Sequence, residues 1–306
     1  MRHLFIVNPV SGKGRGKKII PWLQHALGSA HVHHEILCTT KPGDAFEWTK
    51  TSHHDVVVAV GGDGTINEVA GGLVHSGRLL GVLPAGSGND LIKSLSIPKE
   101  KEQALAAILT GKTRWIDTGV ISWRVFREEF CRQRVFVNGI GIGFDAAVAA
   151  TANRLKHLSG TLLYLVSVLR TIRTYRPPEY EVGTAGVSLK SGQMLLVAVG
   201  NGKCAGGGFF LTPLASVDDG LLDICAIEDR GAIGILKLIP GVLRGKHTHY
   251  AGVSYHQGRE FMVSSGSAFA VHADGEVLGT EISKAIVTVH KRSLAVICPH
   301  GNVGRT

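Results

Sequence analysis

The stretch Asp55-Val-Val-Val-Ala-Val-Gly61-Gly62-Asp63-Gly64-Thr65 constrains this chain more than any other. A run of β-branched and small apolar residues without polar alternation is buried on both faces, as in a strand inside a parallel sheet. It ends abruptly in glycines, and helix-compatible sequence follows from Ile66 through Val69 and Leu73. Strand, glycine turn and helix start in that order let backbone amides approach a bulky anion, because no Cβ intervenes, and set the positive end of a helix behind it. An ordinary connection needs fewer glycines and no acid among them. A carboxylate beside phosphate-binding amides would repel a bare phosphate, so Asp63 implies Mg²⁺ or a hydroxyl at the same place. The element reads as a nucleotide-phosphate site with metal chemistry.

The same logic recurs on either side. The strand Leu79–Leu83 runs into Pro84-Ala85-Gly86-Ser87-Gly88-Asn89-Asp90, and Leu4–Val7 runs into Asn8-Pro9-Val10-Ser11-Gly12-Lys13-Gly14. Helix capping by Asn89 or Asp90 and a loose basic loop at 10–14 are the competing readings. Neither a Walker P-loop nor a Rossmann fingerprint is present, because both spacings fail. Val32–Cys38 alternates like a further strand. Lys17–Leu27, Asp44–Thr51, Ile66–His75 and Lys101–Leu109 read as helices, with Pro21 tolerable only in a first turn. Repeated β-α-β units of this length predict a parallel sheet covered on both faces, with ligands collecting at the carboxyl ends of its strands.

After Asp117 strands follow one another: Trp115–Ser122, Arg134–Asn138, Tyr180–Leu189, Met194–Val199, Leu221–Ile227, Phe261–Val263, Ala268–His272 and Ile286–His290. Lys190-Ser191-Gly192 is a hairpin signal. Two helices interrupt the series. Leu155–Tyr175 carries Leu158, Leu162, Leu165, Leu169 and Ile172 at helical spacing with Arg170, Arg173 and Arg176 at one end, and Ile233–Leu243 precedes Arg244 and Lys246. Each stripe suits either a core or a membrane-facing amphipathic helix. The expected fold is α/β plus all-β. An α/β nucleotide-binding domain spans residues 1–117 and a β-sandwich spans 118–294. The segment 295–306, with Val296–Pro299 extended, packs back on the first domain.

Composition narrows the partners. The 306 residues carry 44% apolar side chains, enough for two cores, and a formal charge of +9 with a pI near 9.4. Nucleic acid, an anionic membrane surface or an anionic substrate could each answer that charge. Aromatics are only 6% and are not interleaved with Lys or Arg, which argues against a nucleic-acid stacking surface. Cys38, Cys131, Cys204, Cys225 and Cys298 are scattered and read mostly as buried thiols. His31, His33, His34, His53 and His54 lack the acids or cysteines that would complete a zinc set, and read as solvated surface. No signal peptide or stretch of about 18–20 apolar residues is evident, so the expected location is cytoplasmic.

Taken together, Asn8-Pro9 with Ser11-Gly12, the Gly-Gly-Asp-Gly-Thr-x-Asn-Glu run and Pro-x-Gly-Ser-Gly-Asn-Asp resemble the diacylglycerol kinase catalytic domain. Asn138-Gly-Ile-Gly141-x-Gly143-Phe-Asp145, Pro213-x-Ala215-x-x-Asp218-Asp219-Gly220-x-x-Asp223 and Asp274-Gly275-Glu276 resemble its later motifs. The compact length is similar to that of the soluble bacterial lipid kinases. The resemblance implies ATP as phosphoryl donor with Mg²⁺, and a lipid alcohol such as diacylglycerol as acceptor, entering between the domains. It implies ATP contacts at Asn8, Pro9, Val10, Ser11, Gly12, Thr40, Gly61, Gly62, Asp63, Gly64, Thr65, Ile66, Asn67 and Ser87. Asp63 and Asp90 match acids that handle the metal–nucleotide complex, and Glu276 matches the general base. The carboxylate of Asp219 and the carbonyls of Ser216 and Leu221 match a Mg²⁺ site outside the nucleotide pocket. A role in phospholipid biosynthesis follows, with reversible docking on the anionic inner face of the membrane and a homodimer as an open assembly. The rival readings are an NAD kinase, whose family shares Gly-Gly-Asp-Gly-Thr, and a non-catalytic nucleotide-binding regulator.

Overall fold

A computed structural model gives the fold and describes residues 1–126, 128, 131–152, 155 and 160–299. Its contacts divide the chain into two compact units, Met1–Ile116 with the segment from Arg292 on, and Asp117–Lys291.

The first unit alternates strands and helices. They are β1 (His3–Val7), α1 (Ser11–Ser29), β2 (His34–Cys38), α2 (Asp44–Thr51), β3 (Val56–Gly61), α3 (Asp63–Leu73), β4 (Leu79–Pro84), α4 (Asp90–Leu95) and α5 (Lys101–Thr110). β1 pairs in parallel with β2 through His3↔His34 to Val7↔Cys38, and with β3 through His3↔Val56 to Val7↔Val60. β3 pairs in parallel with β4 from Val56↔Leu79 to Gly61↔Pro84. The order β4-β3-β1-β2 reverses direction at β1. In open α/β sheets that reversal leaves a crevice at the carboxyl ends of the two central strands. β1 and β3 are buried at every position, which explains their unbroken apolar runs. Phe5, Val58, Val60 and Leu83 pack with Leu23 and Leu27 of α1 and Ile108 of α5.

α1 differs from the helix expected at Lys17–Leu27. It is assigned from Ser11, but Gly12, Lys13 and Gly14 all have positive φ (58°, 60° and 89°), so the regular helix begins after them. Pro21 therefore lies inside the helix rather than in its first turn, where it removes the N–H that would bond the Lys17 carbonyl.

The second unit is built on antiparallel pairs. Its elements are β5 (Lys112–Val125), which begins in the first unit, β6 (Cys131–Phe136), β7 (Gly139–Gly143), α6 (Phe144–Ala152), α7 (Gly160–Thr171), β8 (Glu179–Thr184), β9 (Val187–Gly200), β10 (Leu222–Glu228), α8 (Gly231–Leu243), β11 (Val253–Gly258), β12 (Glu260–Ala273) and β13 (Glu276–Cys298). β7 pairs antiparallel with β9 and β12, β10 with β9 and β11, and β12 with β13. Phe136, Ile142, Val199, Phe261, Val271 and Val287 are central to its core. β7, α6 and β11 were not expected. Gly139-Ile-Gly-Ile-Gly143 is glycine-rich, yet Ile140 and Ile142 alternate into the core and the glycines accept close neighbours: a Cβ on Gly141 would collide with His272 and Asp145.

The hairpin expected at Lys190-Ser191-Gly192 lies elsewhere. β8 and β9 join through Ala185-Gly186, with Thr184 opposite Val187 and Tyr180 opposite Gly192. Both loop residues have positive φ (43° and 83°), as a two-residue hairpin turn of the primed type demands. The expected strand Tyr180–Leu189 is thus split by the turn, and Lys190–Gly192 stands within β9. The strands expected at Phe261–Val263 and Ala268–His272 are one bulged strand, β12, with register shifts between Ser264 and Phe269 and on to His272. Likewise Ile286–His290 and Val296–Pro299 belong to one long strand, β13, ending at Cys298. Its last stretch lies in the first unit and pairs in parallel with β4 at Ala295↔Leu79 and Val296↔Leu80, burying Ile297 in that unit's core. The helix expected at Leu155–Tyr175 is α7 over Gly160–Thr171, and Leu158 lies outside the described residues. Of the cysteines, Cys204, Cys225 and Cys298 are buried and Cys38 and Cys131 are exposed.

Candidate active site

In the first unit the loops after β1, β3 and β4 are stitched into one another. The Val60 and Gly61 carbonyls bond onward: Asn8 N–H donates to Val60 O at 2.9 Å, and the Ala85 and Gly86 N–H groups donate to Gly61 O at 2.7 and 3.0 Å. Asn8 Nδ2 donates to Thr65 Oγ1 at 3.1 Å, and Val10 N–H to Asn8 Oδ1 at 3.2 Å. Gly86 must be glycine for this approach, since a methyl on it would strike the Gly62 backbone, and a methyl on Gly62 would crowd Gly86 and Ser11. A methyl on Gly12 would likewise strike the Ala85 carbonyl.

Asp63 is the first residue of α3 and is partly buried. Its carboxylate accepts the Asn89 N–H at Oδ2 (2.8 Å) and the Asp90 N–H at Oδ1 (2.7 Å). It therefore joins the β3–α3 loop to the N-terminus of α4, satisfying amides that a helix start leaves free. Burial and, next, the Asp90 carboxylate push Asp63 above its ordinary pKa, while the two amides pull it down. Asp90 in turn pairs with Lys93 at 2.8 Å. Asn89 adopts φ 55°, the left-handed cap that a short polar side chain tolerates.

The structure brings Asn8, Ser11, Gly12, Gly61, Gly62, Asp63, Thr65 and Asp90 to this cluster. Pro9 and Val10 lie on the same loop, Val10 exposed. Gly64 and Asn67 lie in the first turns of α3, and Ser87 lies exposed between β4 and α4. Ile66 is fully buried in the core and its N–H donates to Gly62 O at 3.0 Å, so it offers no free donor to a ligand. Thr40 sits on the β2–α2 connection, where its N–H and hydroxyl both donate to Asp44 Oδ2 at 2.8 Å. Glu68 reaches the same connection, accepting the Gly43 and Ala45 N–H groups at 3.1 Å. Sequence reasoning missed Arg15. Its Nη2 donates to Gly86 O at 2.7 Å and its Nε to Gly12 O at 3.2 Å, tying the first and third loops. Only its place in a basic loop hinted at it.

The second unit holds the remaining candidates. Glu276 opens β13 after the two-residue turn Asp274-Gly275, both at positive φ (50° and 83°). Asp274 accepts the Val137, Asn138 and Gly139 N–H groups at 2.8 to 2.9 Å, fixing the turn on the β6–β7 connection. The exposed Glu276 carboxylate pairs with Arg134 Nη2 at 2.5 Å, and this hydrogen bond holds it below the usual glutamate range. Arg134 was missed because its partner lies 142 residues away. In the Ser216–Leu221 loop, Asp219 Oδ1 accepts the Leu221 N–H at 2.9 Å and Asp218 accepts the Ser216 hydroxyl at 3.0 Å. Asp117, fully buried and also missed, accepts the Gly220 N–H at 2.6 Å. Burial raises Asp219, and the Asp117 and Asp218 charges add to it.

Comparisons with known proteins agree with this plan. Residues 2–121 match the diacylglycerol kinase catalytic domain and residues 138–298 match the YegS C-terminal NAD kinase beta sandwich-like domain. The chain is 28% identical over 285 residues to a diacylglycerol kinase of Bacillus subtilis (strain 168), covering 91% of this chain and 90% of that protein. It is 28% identical over 284 residues to one of Staphylococcus aureus (strain MRSA252), covering 91% and 87%. In fold it is similar to a crystal structure of a diacylglycerol kinase from Bacillus anthracis str. Sterne, with TM-score 0.69, 20% identity and 98% and 97% of the two chains covered. It is also similar to yeast NADH kinase complexed with NADH, with TM-score 0.57, 10% identity and 99% and 84% covered. The class is therefore that of the kinases, phosphotransferases built from an α/β unit and a β-rich unit. Within it, the chain belongs to the diacylglycerol kinase family, with the catalytic domain followed by the YegS-type C-terminal domain.

Proposed function

We propose that this chain transfers the γ-phosphoryl group of ATP to the hydroxyl of a lipid alcohol such as diacylglycerol. The observation that carries the reading is the convergence of three glycine loops at the switch point of the first unit, with the Asp63 carboxylate bonded across two of them. The name diacylglycerol kinase borne by relatives that match over 91% of the chain supports the acceptor class.

Phosphoryl transfer is mostly positioning and charge neutralisation. The loops Ser11–Gly12 and Gly61–Asn67 would hold the phosphates, through amides other than those of Ser11 and Ile66, which already donate to Asn8 O and Gly62 O, with Thr40 and Ser87 at the nucleotide's edge. Bound Mg²⁺ supplies neutralisation of the phosphate charge. Asp63 and Asp90 fit such a centre: two carboxylates close enough that one raises the other gain from a cation between or beside them. Since both oxygens of Asp63 already accept amides, its larger share is to place the α4 N-terminus. Glu276 takes the alcohol proton as the new O–P bond forms and ADP leaves. Its pairing with Arg134 holds it ionised, free to accept a proton, while lowering its proton affinity, so the arginine must release it for the base to act at full strength.

The Ser216–Leu221 loop fits a second Mg²⁺. Its donors are all oxygen, as hard cations require, and a cation would relieve the repulsion among Asp117, Asp218 and Asp219. The Asp219 carboxylate and the carbonyls of Ser216 and Leu221 would hold it.

The acceptor resides in a membrane, and no helix among the described residues is long and apolar enough to cross one. We assign docking to α7 and α8. Leu162 and Leu169 are exposed beside Arg170, Arg173 and Arg176, and Ile233, Leu236 and Leu243 beside Arg244 and Lys246. Between these helices lies a small apolar pocket lined by Phe144, Tyr164, Val168, Leu238, Ile239 and Val242 among others.

The test is a screen of diacylglycerol, monoacylglycerol and sphingoid bases in detergent micelles, with NAD as a parallel acceptor, using labelled Mg·ATP. Label in a lipid product is expected. Label in NAD alone, or none in any product, overturns the reading.

A further inference from the structure

Beneath the Asp274-Gly275 turn lies a buried carboxylate–imidazole pair to which the phosphoryl transfer above gives no part. Asp145, the second residue of α6, and His272, near the end of β12, are 1% and 5% exposed. His272 Nε2 lies 2.9 Å from Asp145 Oδ2, and the Tyr164 hydroxyl donates to Asp145 Oδ1. On its other edge His272 Nδ1 lies 3.2 Å from the Gly275 N–H. An amide nitrogen can only donate, so Nδ1 carries the lone pair and Nε2 carries the proton. The carboxylate fixes the tautomer, and the tautomer leaves an acceptor aimed at the turn. Gly141 is glycine here because a side chain would displace both members of the pair.

We propose that His272, oriented by Asp145, is a positioning residue for Glu276. This rests on the proposed role of Glu276 as base. Asp274 is held by three amides of the β6–β7 connection, and His272 holds the next residue, Gly275, from the interior. Glu276 follows directly. Its side chain is exposed and pairs with Arg134, while its backbone is set by the pairing opposite Ala273 and by the turn that His272 holds from below. A base that drifts from its line of attack loses rate without losing nucleotide affinity.

Two substitutions separate the edges of the imidazole. Glutamine places a polar atom near Nε2 and keeps a partner for Asp145, but leaves the Gly275 N–H without an acceptor. Asparagine places its oxygen near Nδ1 and keeps the Gly275 contact. With dioleoylglycerol in detergent micelles and Mg·ATP, His272→Gln should lose about 10- to 100-fold in kcat with the KM for ATP unchanged. His272→Asn should recover part of that loss despite lower thermal stability. A purely structural role for the pair would give the opposite order, with glutamine the more active. Glu276→Gln, measured alone, tests the base assignment itself. Combined with it, His272→Gln should cost less than about twofold more, because groups that act through one another are not additive. Losses that multiply would overturn the inference while leaving the base assignment standing. Parent-like turnover in Glu276→Gln would overturn both. Independently of any substrate, ¹⁵N-histidine spectra of the full chain should show His272 as the Nε2–H tautomer, and an Nδ1–H tautomer would overturn the inference.

Discussion

Asp63 and Glu276 are both carboxylates, yet their surroundings drive them in opposite directions. Asp63 is partly buried beside a second acid and is raised; Glu276 is exposed beside an arginine and is lowered. At Asp63, replacement by alanine leaves the Asn89 and Asp90 amides without their acceptor. Asp63→Ala should lose about 1–3 kcal/mol of stability in urea titrations and bind Mg·ATP more weakly by calorimetry. Parent-like Mg·ATP affinity in the folded variant would leave Asp63 as a turn residue alone. At Glu276 the depressed value means that its stabilising contribution is present above the unfolded-state pKa and is lost as pH falls through the folded one. Arg134→Gln removes the main cause of the depression, so the Glu276 carboxyl should titrate at higher pH in carbon-detected spectra. An unchanged midpoint would show that the ion pair does not set it.

Elements were legible where a single local rule decided them. The strand–glycine–helix runs at Val56–Leu73 and Leu79–Leu95 could be read because burial on both faces and a glycine turn are both written in adjacent residues. Asp274-Gly275 could be read as a turn because few dipeptides serve that geometry. The β8–β9 hairpin was misplaced because Ala185-Gly186 and Ser191-Gly192 offer two glycine turns within one hydrophobic run, and the choice is made by pairing with β12 through Met262↔Gly183 and Val263↔Val182. No local signal carries that. Asp117 and Arg134, and the contacts of Arg15 with Gly86 and of His272 with Asp145, escaped for the same reason, since those partners are distant in sequence. The corrected turn has a measurable consequence. Gly186→Ala forces a side chain into φ 83° and should destabilise the protein by about 1–2 kcal/mol, with Mg·ATP affinity unchanged. Stability equal to the parent's would move the turn elsewhere. In the Ser216–Leu221 loop, Asp219→Ala should lower kcat while sparing Mg·ATP binding, and anomalous scattering from Mn²⁺-soaked crystals should mark the loop. Crystals without a peak there would remove the second metal.

For the whole molecule, the formal charge of +9 suits the proposed lipid acceptor, which would be held in a bilayer. Each Lys or Arg near an anionic surface contributes roughly 1 kcal/mol, screened beyond a Debye length. Sedimentation with phosphatidylglycerol vesicles should exceed that with phosphatidylcholine vesicles and fall as salt rises. Charge reversal at Arg170 and Arg173 should raise the KM for vesicle-borne lipid and leave that for ATP alone. Equal sedimentation at low salt would mean that the charge serves something else.

The course of β13 adds a matter of timing. Its final residues supply the strand that flanks β4, although β4 itself ends more than 200 residues earlier at Pro84. During synthesis the first unit must therefore wait, with one side of β4 bare, until the ribosome has delivered Ala295 and Val296. That bare edge is the kind of surface that recruits stray strands or a chaperone. Stalled nascent chains released just before Leu294 should be cleaved by protease within residues 1–116, and chains extended past Cys298 should resist it. Equal resistance of the two lengths would show that the edge needs no late partner.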